Sequence, residues 1–212
     1  MKFCVIGLGR LGFQVATRLS ENGMEVLAVD KDETIIASIR DDVTQAVCVQ
    51  IIDEDSLHSI GIEEIDTALV ATGENFDQSI LITALLKKLN VPRVIARAIN
   101  DIHKEILMVL GADRIIQPEK EVGTRLADNL SSPFTDIFRI TQNFSISQIV
   151  SPEKFVNKTP KEIDFFKNYN VNFIGVKEDD QSITRDLNYV IKENDRLVFS
   201  GENKSLDKIA KV

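Results

Sequence analysis

The segment Gly7-Leu8-Gly9-Arg10-Leu11-Gly12 constrains this chain most, because its three glycines directly follow the apolar run Phe3-Cys4-Val5-Ile6. In this pattern the first glycine allows a tight turn from strand to helix, and the second lets the backbone approach a pyrophosphate. The third lets the helix pack closely on the strand. Backbone N–H groups at the start of such a helix face bound phosphates. The segment therefore predicts a nucleotide-binding turn.

An acidic residue at the end of the next apolar run supports this prediction. Asp30 follows Glu25-Val26-Leu27-Ala28-Val29, eighteen positions after Gly12. Its carboxylate can accept hydrogen bonds from ribose hydroxyls and repels a 2′-phosphate, so NAD or an adenosine nucleotide is favoured over NADP. The neighbouring Lys31 weakens that exclusion. A turn that needed only glycine flexibility would explain neither the spacing nor the acid.

Length and charge limit the class of protein. A chain of 212 residues with 43% hydrophobic content can bury the core of a medium domain and a small one. Its formal net charge of −8 argues against a nucleic-acid partner, since binding phosphates needs a basic face. The sequence shows no signal segment and no apolar stretch of about eighteen residues, so we expect a cytoplasmic protein. Cys4 and Cys48 lack redox or metal-ligand spacing, and we expect both to be buried.

Apolar runs alternate with helical stretches through the first 117 residues. Helices are predicted at 34–39, 54–60, 75–88 and 101–110, and another begins at Pro118. Six strands are predicted between them, at residues 3–6, 25–30, 45–50, 67–72, 93–97 and 113–116. Strict alternation of strands and helices predicts parallel strands with right-handed connections. We therefore expect a Rossmann-like, doubly wound parallel α/β sheet.

The pattern changes after Asn129-Leu130-Ser131-Ser132-Pro133, a small polar cluster that predicts a hinge. Beyond it, a helix is predicted at 160–169, and short strands are predicted at 137–140, 144–149, 172–176 and 195–201. These segments predict a small C-terminal α+β module. The sequence thus predicts a nucleotide-binding domain at 1–131 and a second domain at 135–212.

Four segments together resemble the RCK family (regulating conductance of K⁺), the cytosolic regulators of the Ktr and Trk potassium transport systems. They are the glycine-rich turn, the strand ending in Asp30, the loop at 71–75, and the run from 111 to 123 with the sequence GADRIIQPEKEVG. The last run is the most diagnostic. A single copy of both modules is similar to the Ktr-type members, whereas Trk-type regulators usually carry two copies.

The resemblance implies a nucleotide-sensing regulatory subunit that is not an enzyme, and it implies that the second domain, at 135–212, is regulatory. It implies a homo-oligomer in which dimers assemble into a ring, bound to a membrane K⁺-translocating subunit at the inner face of the cell membrane. Exchange of ATP with ADP, or of NAD with NADH, would change the shape of the ring and thereby the pore. The size of the ring and the identity of the membrane partner stay open.

Arg10 bears on the choice of nucleotide. An arginine in the first turn of a helix is unfavourable beside the positive end of the helix dipole, so a bound anion explains it better than a solvated surface position does. In Ktr-type members, which this chain resembles, the arginine at this place meets the terminal phosphate of ATP. ATP and ADP are therefore favoured over NAD and NADH.

The remaining site residues follow strands, because ligands of doubly wound sheets lie beyond the carboxyl ends of the strands. Ordinary turn and helix-cap interactions explain the residues of the 71–75 loop as well as contact with a ligand does. For Arg97, the alternative to a phosphate contact is a solvent-exposed surface charge. The predicted nucleotide-binding residues are the turn residues Gly7, Gly9, Arg10, Leu11 and Gly12, then Asp30 and Lys31, and finally Gln50, Ile51, Ala71, Thr72, Gly73, Asn75, Arg97 and Glu119.

Glu119 has a second expected role. The resemblance implies that this glutamate, contributed from two subunits, binds Mg²⁺ or Ca²⁺ near the phosphates, which oxygen ligands suit. The alternative is a favourable interaction with the helix dipole alone, since Glu119 follows Pro118 at a predicted helix start.

The main alternative function is an NAD-dependent oxidoreductase of Rossmann type, because the fold alone does not determine function. Such an enzyme needs a proton donor or acceptor beside the nicotinamide. No Tyr-x-x-x-Lys pair occurs, since Phe173 lies four positions after Tyr169 and Glu193 lies four after Tyr189. The only histidines, His58 and His103, fall in predicted helices. A nucleotide sensor is therefore favoured over an enzyme.

Overall fold

The computed structural model describes residues 1–73, 75–131, 136–177 and 182–212. The contacts between Cα atoms divide the chain into two compact units, Met1–Pro118 and Glu119–Val212. The predicted hinge at 129–133 lies partly outside the described residues, and so does one position of the 71–75 loop. The domain boundary expected at residue 131 stays a prediction.

The first unit is built on a six-stranded parallel sheet with the order β3-β2-β1-β4-β5-β6. The chain winds outwards from β1 on one side and from β4 on the other, so the order reverses between these two strands. This arrangement confirms the predicted doubly wound fold. The strands are β1 Lys2–Ile6, β2 Glu25–Asp30, β3 Gln45–Cys48, β4 Thr67–Val70, β5 Arg93–Arg97 and β6 Arg114–Ile116.

Two apolar cores cover opposite faces of this sheet, because side chains alternate along a strand. Cys4 of β1 lies in one core and the adjacent Val5 in the other. The core on the Cys4 side takes Leu57, Leu86 and other side chains from the third, fourth and fifth helices. The Val5 side takes side chains from the first two. The helices are α1 Arg10–Glu21, α2 Glu33–Ile39, α3 Glu54–His58, α4 Phe76–Lys88 and α5 Asp101–Val109.

The cysteine prediction is correct for Cys4 and wrong for Cys48. Cys4 is fully buried, and this burial raises the pKa of its thiol to about 12. Cys48 is exposed, because it is the last residue of β3, which forms an edge of the sheet. Among the described helices, none has the length and apolar character needed to cross a membrane.

The second unit contains a five-stranded antiparallel sheet with the order β10-β9-β11-β8-β7. Together with its helices it confirms the predicted α+β module. The strands are β7 Asp136–Arg139, β8 Phe144–Val150, β9 Val171–Lys177, β10 Ile183–Thr184 and β11 Arg196–Glu202. The helices are α6 Pro118–Ser131, whose first residue ends the first unit, then α7 Pro160–Ile163, α8 Phe165–Tyr169 and α9 Asn203–Ile209.

One predicted helix of this unit is wrong. The helix expected at 160–169 is two short helices, α7 and α8, separated by Asp164. Asp164 adopts the left-handed conformation with φ 46°, and its carboxylate accepts the N–H of Lys167 at 3.2 Å. The side chain thus caps the second helix, and the left-handed backbone at Asp164 turns the chain away from the first helix. Strand β10 and helix α9 were not predicted.

Aromatic rings form the centre of the second core. Phe165 is 3% exposed and lies between two other rings, with ring centroids 5.3 Å from Phe155 and 4.8 Å from Phe199. The next residue, Phe166, is 64% exposed. Adjacent phenylalanines of one short helix thus differ almost completely in burial.

We expect Phe165→Ala to lower the free energy of unfolding by about 3–5 kcal/mol, because it opens a cavity in a packed core. Phe166→Ala is the matched control and should change the same quantity by less than about 0.5 kcal/mol. Urea unfolding followed by circular dichroism measures both. Similar losses for the two variants would contradict the assignment of Phe165 to the core.

His103 of α5 is a buried titratable group in the first unit. Its side chain has no exposed surface, its Nδ1 accepts the N–H of Ile99 at 3.4 Å, and its ring centroid lies 4.7 Å from that of Phe76. Its Nε2 has no hydrogen-bond partner within the described part of the chain. Burial lowers the pKa of His103 below its ordinary value of 6.5, so the folded protein holds a neutral imidazole at neutral pH.

Acid should therefore destabilise this unit. The unfolded chain protonates His103 near its ordinary pKa of 6.5, whereas the folded chain resists protonation to lower pH. The free energy of unfolding should then fall by up to about 1.4 kcal/mol per pH unit below about pH 6.5, and show no such slope above it. Urea unfolding between pH 7.5 and 5.5 measures this slope. The slope below pH 6.5 should be shallower in His103→Leu than in the parent, and equal slopes in the two proteins would contradict the assignment.

Candidate functional site

The glycine-rich turn connects β1 to α1 at the carboxyl end of the sheet. Gly7 has φ +90°, in the left-handed region that favours glycine. A Cβ at this position would lie 2.8 Å from Cγ2 of Thr72. A Cβ at Gly12 would lie 1.9 Å from the carbonyl oxygen of Gly7. Packing within the protein itself therefore requires glycine at both positions.

Gly9 differs from the other two glycines. It is exposed, its φ is −65°, and a Cβ built on it would meet no atom within 4 Å. Neither the backbone conformation nor the described surroundings require glycine here. The space in front of Gly9 is open, which suits the close approach of a ligand to the backbone.

The start of α1 also lacks the side-chain cap that other helices of this unit have. Asp32, Asp53, Asn75 and Asn100 each accept a backbone N–H at the start of α2, α3, α4 and α5. The N-cap of α1 is Gly9, which has no side chain to do so, and the first turn of α1 contains no acidic residue. The first N–H groups of a helix have no partner within the helix. Those of α1 therefore face the open space at Gly9, where an anion would satisfy them.

Asp30 lies at the end of β2, beside this turn. Its Oδ2 accepts the N–H of Leu8 at 2.6 Å, and its Oδ1 accepts the N–H of Asp32 at 3.0 Å. A carboxylate offers about four acceptor positions, so this side chain retains capacity for ribose hydroxyls. The adjacent Lys31 is exposed.

The loop after β4 completes the same edge. Ala71 donates its N–H to the carbonyl of Ile6 at 2.8 Å, which extends the pairing of β4 with β1 into the turn. Thr72 packs against Gly7, since a Cβ built on Gly7 would lie 2.8 Å from Cγ2 of Thr72. A Cβ on Gly73 would lie 1.7 Å from Nη1 of Arg97, so the guanidinium of Arg97 lies directly against this glycine.

Asn75 has a structural role in this loop. Its Oδ1 accepts the N–H of Gln78 at 3.2 Å and caps α4. The structure thus brings the predicted residue Gly7 into contact with Thr72, and Gly73 into contact with Arg97. Leu11 is partly buried against the core of the α1 side, and Arg10 is exposed at the first position of α1.

Gln50 and Ile51 are placed differently from these residues. Gln50 is exposed and follows the end of β3 at Cys48. The side chain of Ile51 is 2% exposed and belongs to the apolar core that contains Leu57. Its backbone rather than its side chain is therefore the part that an adenine could approach.

Glu119 belongs to the second unit and is exposed in the first turn of α6. The described residues contain no group of three His, Cys, Asp or Glu side chains that could hold a metal ion. A cation at Glu119 would therefore need ligands from outside the described residues of one chain.

Sequence reasoning missed two residues of this edge, Leu8 and Asp32. Leu8 acts through its backbone N–H, which no side-chain pattern reveals. Asp32 acts both through its backbone N–H and as the cap of α2, where its Oδ1 accepts the N–H of Thr34 at 2.8 Å. The pattern of Asp32 followed by the acidic Glu33 is a helix-start signal that could have identified its capping role.

Comparison with known proteins identifies both units. The family model described as TrkA-N domain matches residues 3–118, and the model described as TrkA-C domain matches residues 145–212. The chain is 33% identical over 212 residues to the Ktr system potassium uptake protein C of Bacillus subtilis (strain 168), covering 99% of this chain and 96% of that protein.

Solved structures share the fold. The GsuK RCK domain matches with a TM-score of 0.71 and 16% identity, over 100% of this chain and 48% of that chain. The GsuK channel bound to NAD matches with a TM-score of 0.69 and 16% identity, over 98% of this chain and 38% of that chain. This chain therefore spans about half of the first of these chains and less of the second. These findings confirm the predicted resemblance to RCK regulators, and the chain belongs to the family of proteins that contain a TrkA-N and a TrkA-C domain.

Proposed function

We propose that this chain is a nucleotide-sensing regulatory subunit of a potassium transport system. The observation that carries this proposal is the open start of α1, where Gly9 is free of packing constraints and no side chain caps the helix. Membership of the TrkA-N and TrkA-C family and the likeness to a Ktr potassium uptake protein support it.

The nucleotide would lie across the carboxyl ends of β1, β2 and β4. Its phosphates would take the N–H groups at the start of α1, and its ribose hydroxyls would take the remaining acceptor positions of Asp30. ATP or ADP is the favoured ligand, because Arg10 is exposed in the first turn and its charge there is best compensated by a further phosphate. NAD and NADH stay the alternative, and a structural neighbour is the GsuK channel bound to NAD.

The ligand would act by binding two conformations of an assembly with different affinity. The assembly that we propose is a homo-oligomer of dimers arranged as a ring, at the inner face of the cell membrane and attached to a membrane K⁺-translocating subunit. The cytoplasmic position, the ring and a divalent cation shared at Glu119 are parts of this proposal.

The proposal also holds that the chain is not an NAD-dependent oxidoreductase. Both histidines lie on helices, as predicted: His58 ends α3 and pairs with Glu63, and His103 has no exposed surface. Neither presents an imidazole to the open space at Gly9 as a proton donor or acceptor would. Steady oxidation of NADH with a small carbonyl substrate would overturn this part of the proposal.

Gly9→Ala tests whether the open space serves a ligand. Alanine is compatible with φ −65° and meets no atom within 4 Å, so the free energy of unfolding should stay the same or rise by up to about 1 kcal/mol. The affinity for ATP should fall at least about tenfold, because the methyl group occupies the place of the phosphates. Isothermal titration calorimetry and thermal unfolding measure the two effects. Gly12→Ala is the contrasting variant and should destabilise the fold; undiminished ATP binding by Gly9→Ala would contradict the proposed site.

Arg10→Ala tests the choice between nucleotides. Loss of a charge-assisted hydrogen bond should weaken ATP binding about 10- to 100-fold and ADP binding much less. Arg18→Ala is the matched control, since Arg18 lies on the same helix, has a 73% exposed side chain and pairs with Glu21 at 2.6 Å. It removes the same charge and should leave both affinities unchanged. An ATP to ADP affinity ratio that is equal in Arg10→Ala and the parent would exclude a contact of Arg10 with the third phosphate.

A further inference from the structure

Asp30 connects two loops of the first unit through its carboxylate. Its Oδ2 accepts the N–H of Leu8, in the turn between β1 and α1, at 2.6 Å. Its Oδ1 accepts the N–H of Asp32, in the turn between β2 and α2, at 3.0 Å. One carboxylate therefore bridges the turn that would hold phosphates and the turn that follows the ribose-binding strand.

The carboxylate of Asp30 accepts the N–H group of Leu8, which the neighbouring strand and helix leave without an acceptor. Leu8 lies between the end of β1 and the start of α1, so neither the strand pairing nor the helix provides an acceptor for its N–H. The residue is only 3% exposed and packs in the core on the α1 side. An N–H group in such a place is costly to leave without an acceptor. The shape of the turn therefore depends on Asp30.

Two backbone hydrogen bonds lie close to this contact but are separate from it. The N–H of Gly7 donates to the carbonyl of Val29 at 2.8 Å, and the carbonyl of Asp30 accepts the N–H of Val49 at 2.9 Å. The first bond holds the backbone directly before the Leu8 amide, the second holds the backbone of Asp30 itself, and neither involves the carboxylate of Asp30. The carboxylate is thus a separate attachment that acts at Leu8, directly before Gly9.

We propose that Asp30 is a positioning residue for the phosphate-binding turn, in addition to any contact with ribose. This inference rests on the proposed function. By holding the N–H of Leu8, the carboxylate presets the path of Gly9 and the first N–H groups of α1, so the turn is ordered before the phosphates arrive. Loss of Asp30 then weakens the binding of the phosphate part of a ligand, even one that cannot contact Asp30 through its ribose.

The sign of this effect separates positioning from simple electrostatics. A carboxylate near a phosphate repels it, so removal of that charge alone strengthens anion binding. If Asp30 served only the ribose, a ligand without ribose hydroxyls would bind an Asp30 variant equally well or better. Weaker binding of such a ligand has the opposite sign and reports the loss of the preset turn.

The experiment compares ATP with 2′,3′-dideoxy-ATP on the full chain and on Asp30→Ala by isothermal titration calorimetry. Alanine removes the acceptors of both N–H groups, whereas asparagine would keep one oxygen that the Leu8 N–H could use. We expect Asp30→Ala to bind dideoxy-ATP at least about tenfold more weakly than the parent does. Asp41→Ala, which removes a charge from an exposed residue of the same unit, should leave this affinity unchanged. An affinity for dideoxy-ATP that Asp30→Ala retains or increases, while ATP binding weakens, would overturn the proposal.

Amide hydrogen exchange of the ligand-free protein tests the attachment without any nucleotide. The Leu8 amide should exchange at least about tenfold faster in Asp30→Ala than in the parent, whereas the Gly7 amide, bonded to Val29, should keep its rate. Equal Leu8 rates would overturn the positioning role. Asp30→Glu keeps the charge and moves the carboxylate by one methylene, so faster Leu8 exchange there too supports position over charge, and this variant serves if Asp30→Ala does not fold. If the parent binds neither nucleotide, the proposed function fails, and the Leu8 exchange still decides whether the attachment exists.

Discussion

The contact between Gly12 of α1 and the carbonyl of Gly7 determines the form of the candidate site. Any side chain at residue 12 would lie 1.9 Å from that carbonyl oxygen, so α1 can approach the end of β1 only with glycine there. This approach directs the first N–H groups of the helix towards the carboxyl edge of the sheet, where the turns after β2 and β4 also lie. A helix held further away would point the same groups elsewhere. The open space at Gly9 is thus a consequence of a close contact one turn along the helix.

The alternation of apolar runs and helical stretches was sufficient to predict the doubly wound sheet and the α+β module, because buried parallel strands and amphipathic helices leave strong local patterns. Element ends were less predictable. Strand β3 ends at Cys48 and not at Gln50, and the irregular segment that follows buries Ile51 in the apolar core. The helix expected at 160–169 breaks at Asp164, which adopts the left-handed conformation and caps the second half with its side chain.

The candidate site also has some features that could be predicted from the sequence and others that could not. The separate requirements at the three glycines could be predicted, because the spacing is a local pattern with a known geometry, and Gly7 and Gly12 have the expected packing. The attachment of Leu8 to Asp30 could not be predicted, because a backbone N–H is present at almost every residue and carries no sequence signal. The contact of Arg97 with Gly73 also depends on how β5 lies beside β4, which a single sequence does not reveal.

The magnitude of a single contact bears on why a sensor of this kind would be an oligomer. ATP and ADP share the base, the ribose and two phosphates, so contacts at Asp30 and Gly9 would be the same for both and could not distinguish them. Only groups that contact the third phosphate can make ATP and ADP favour different conformations. A hydrogen bond to a charged group contributes about 1.5–3 kcal/mol. A two-state equilibrium needs about 5.5 kcal/mol of differential binding to move from 1:99 to 99:1. One subunit with one such arginine falls short of this amount, whereas two to four subunits that change conformation together would reach it.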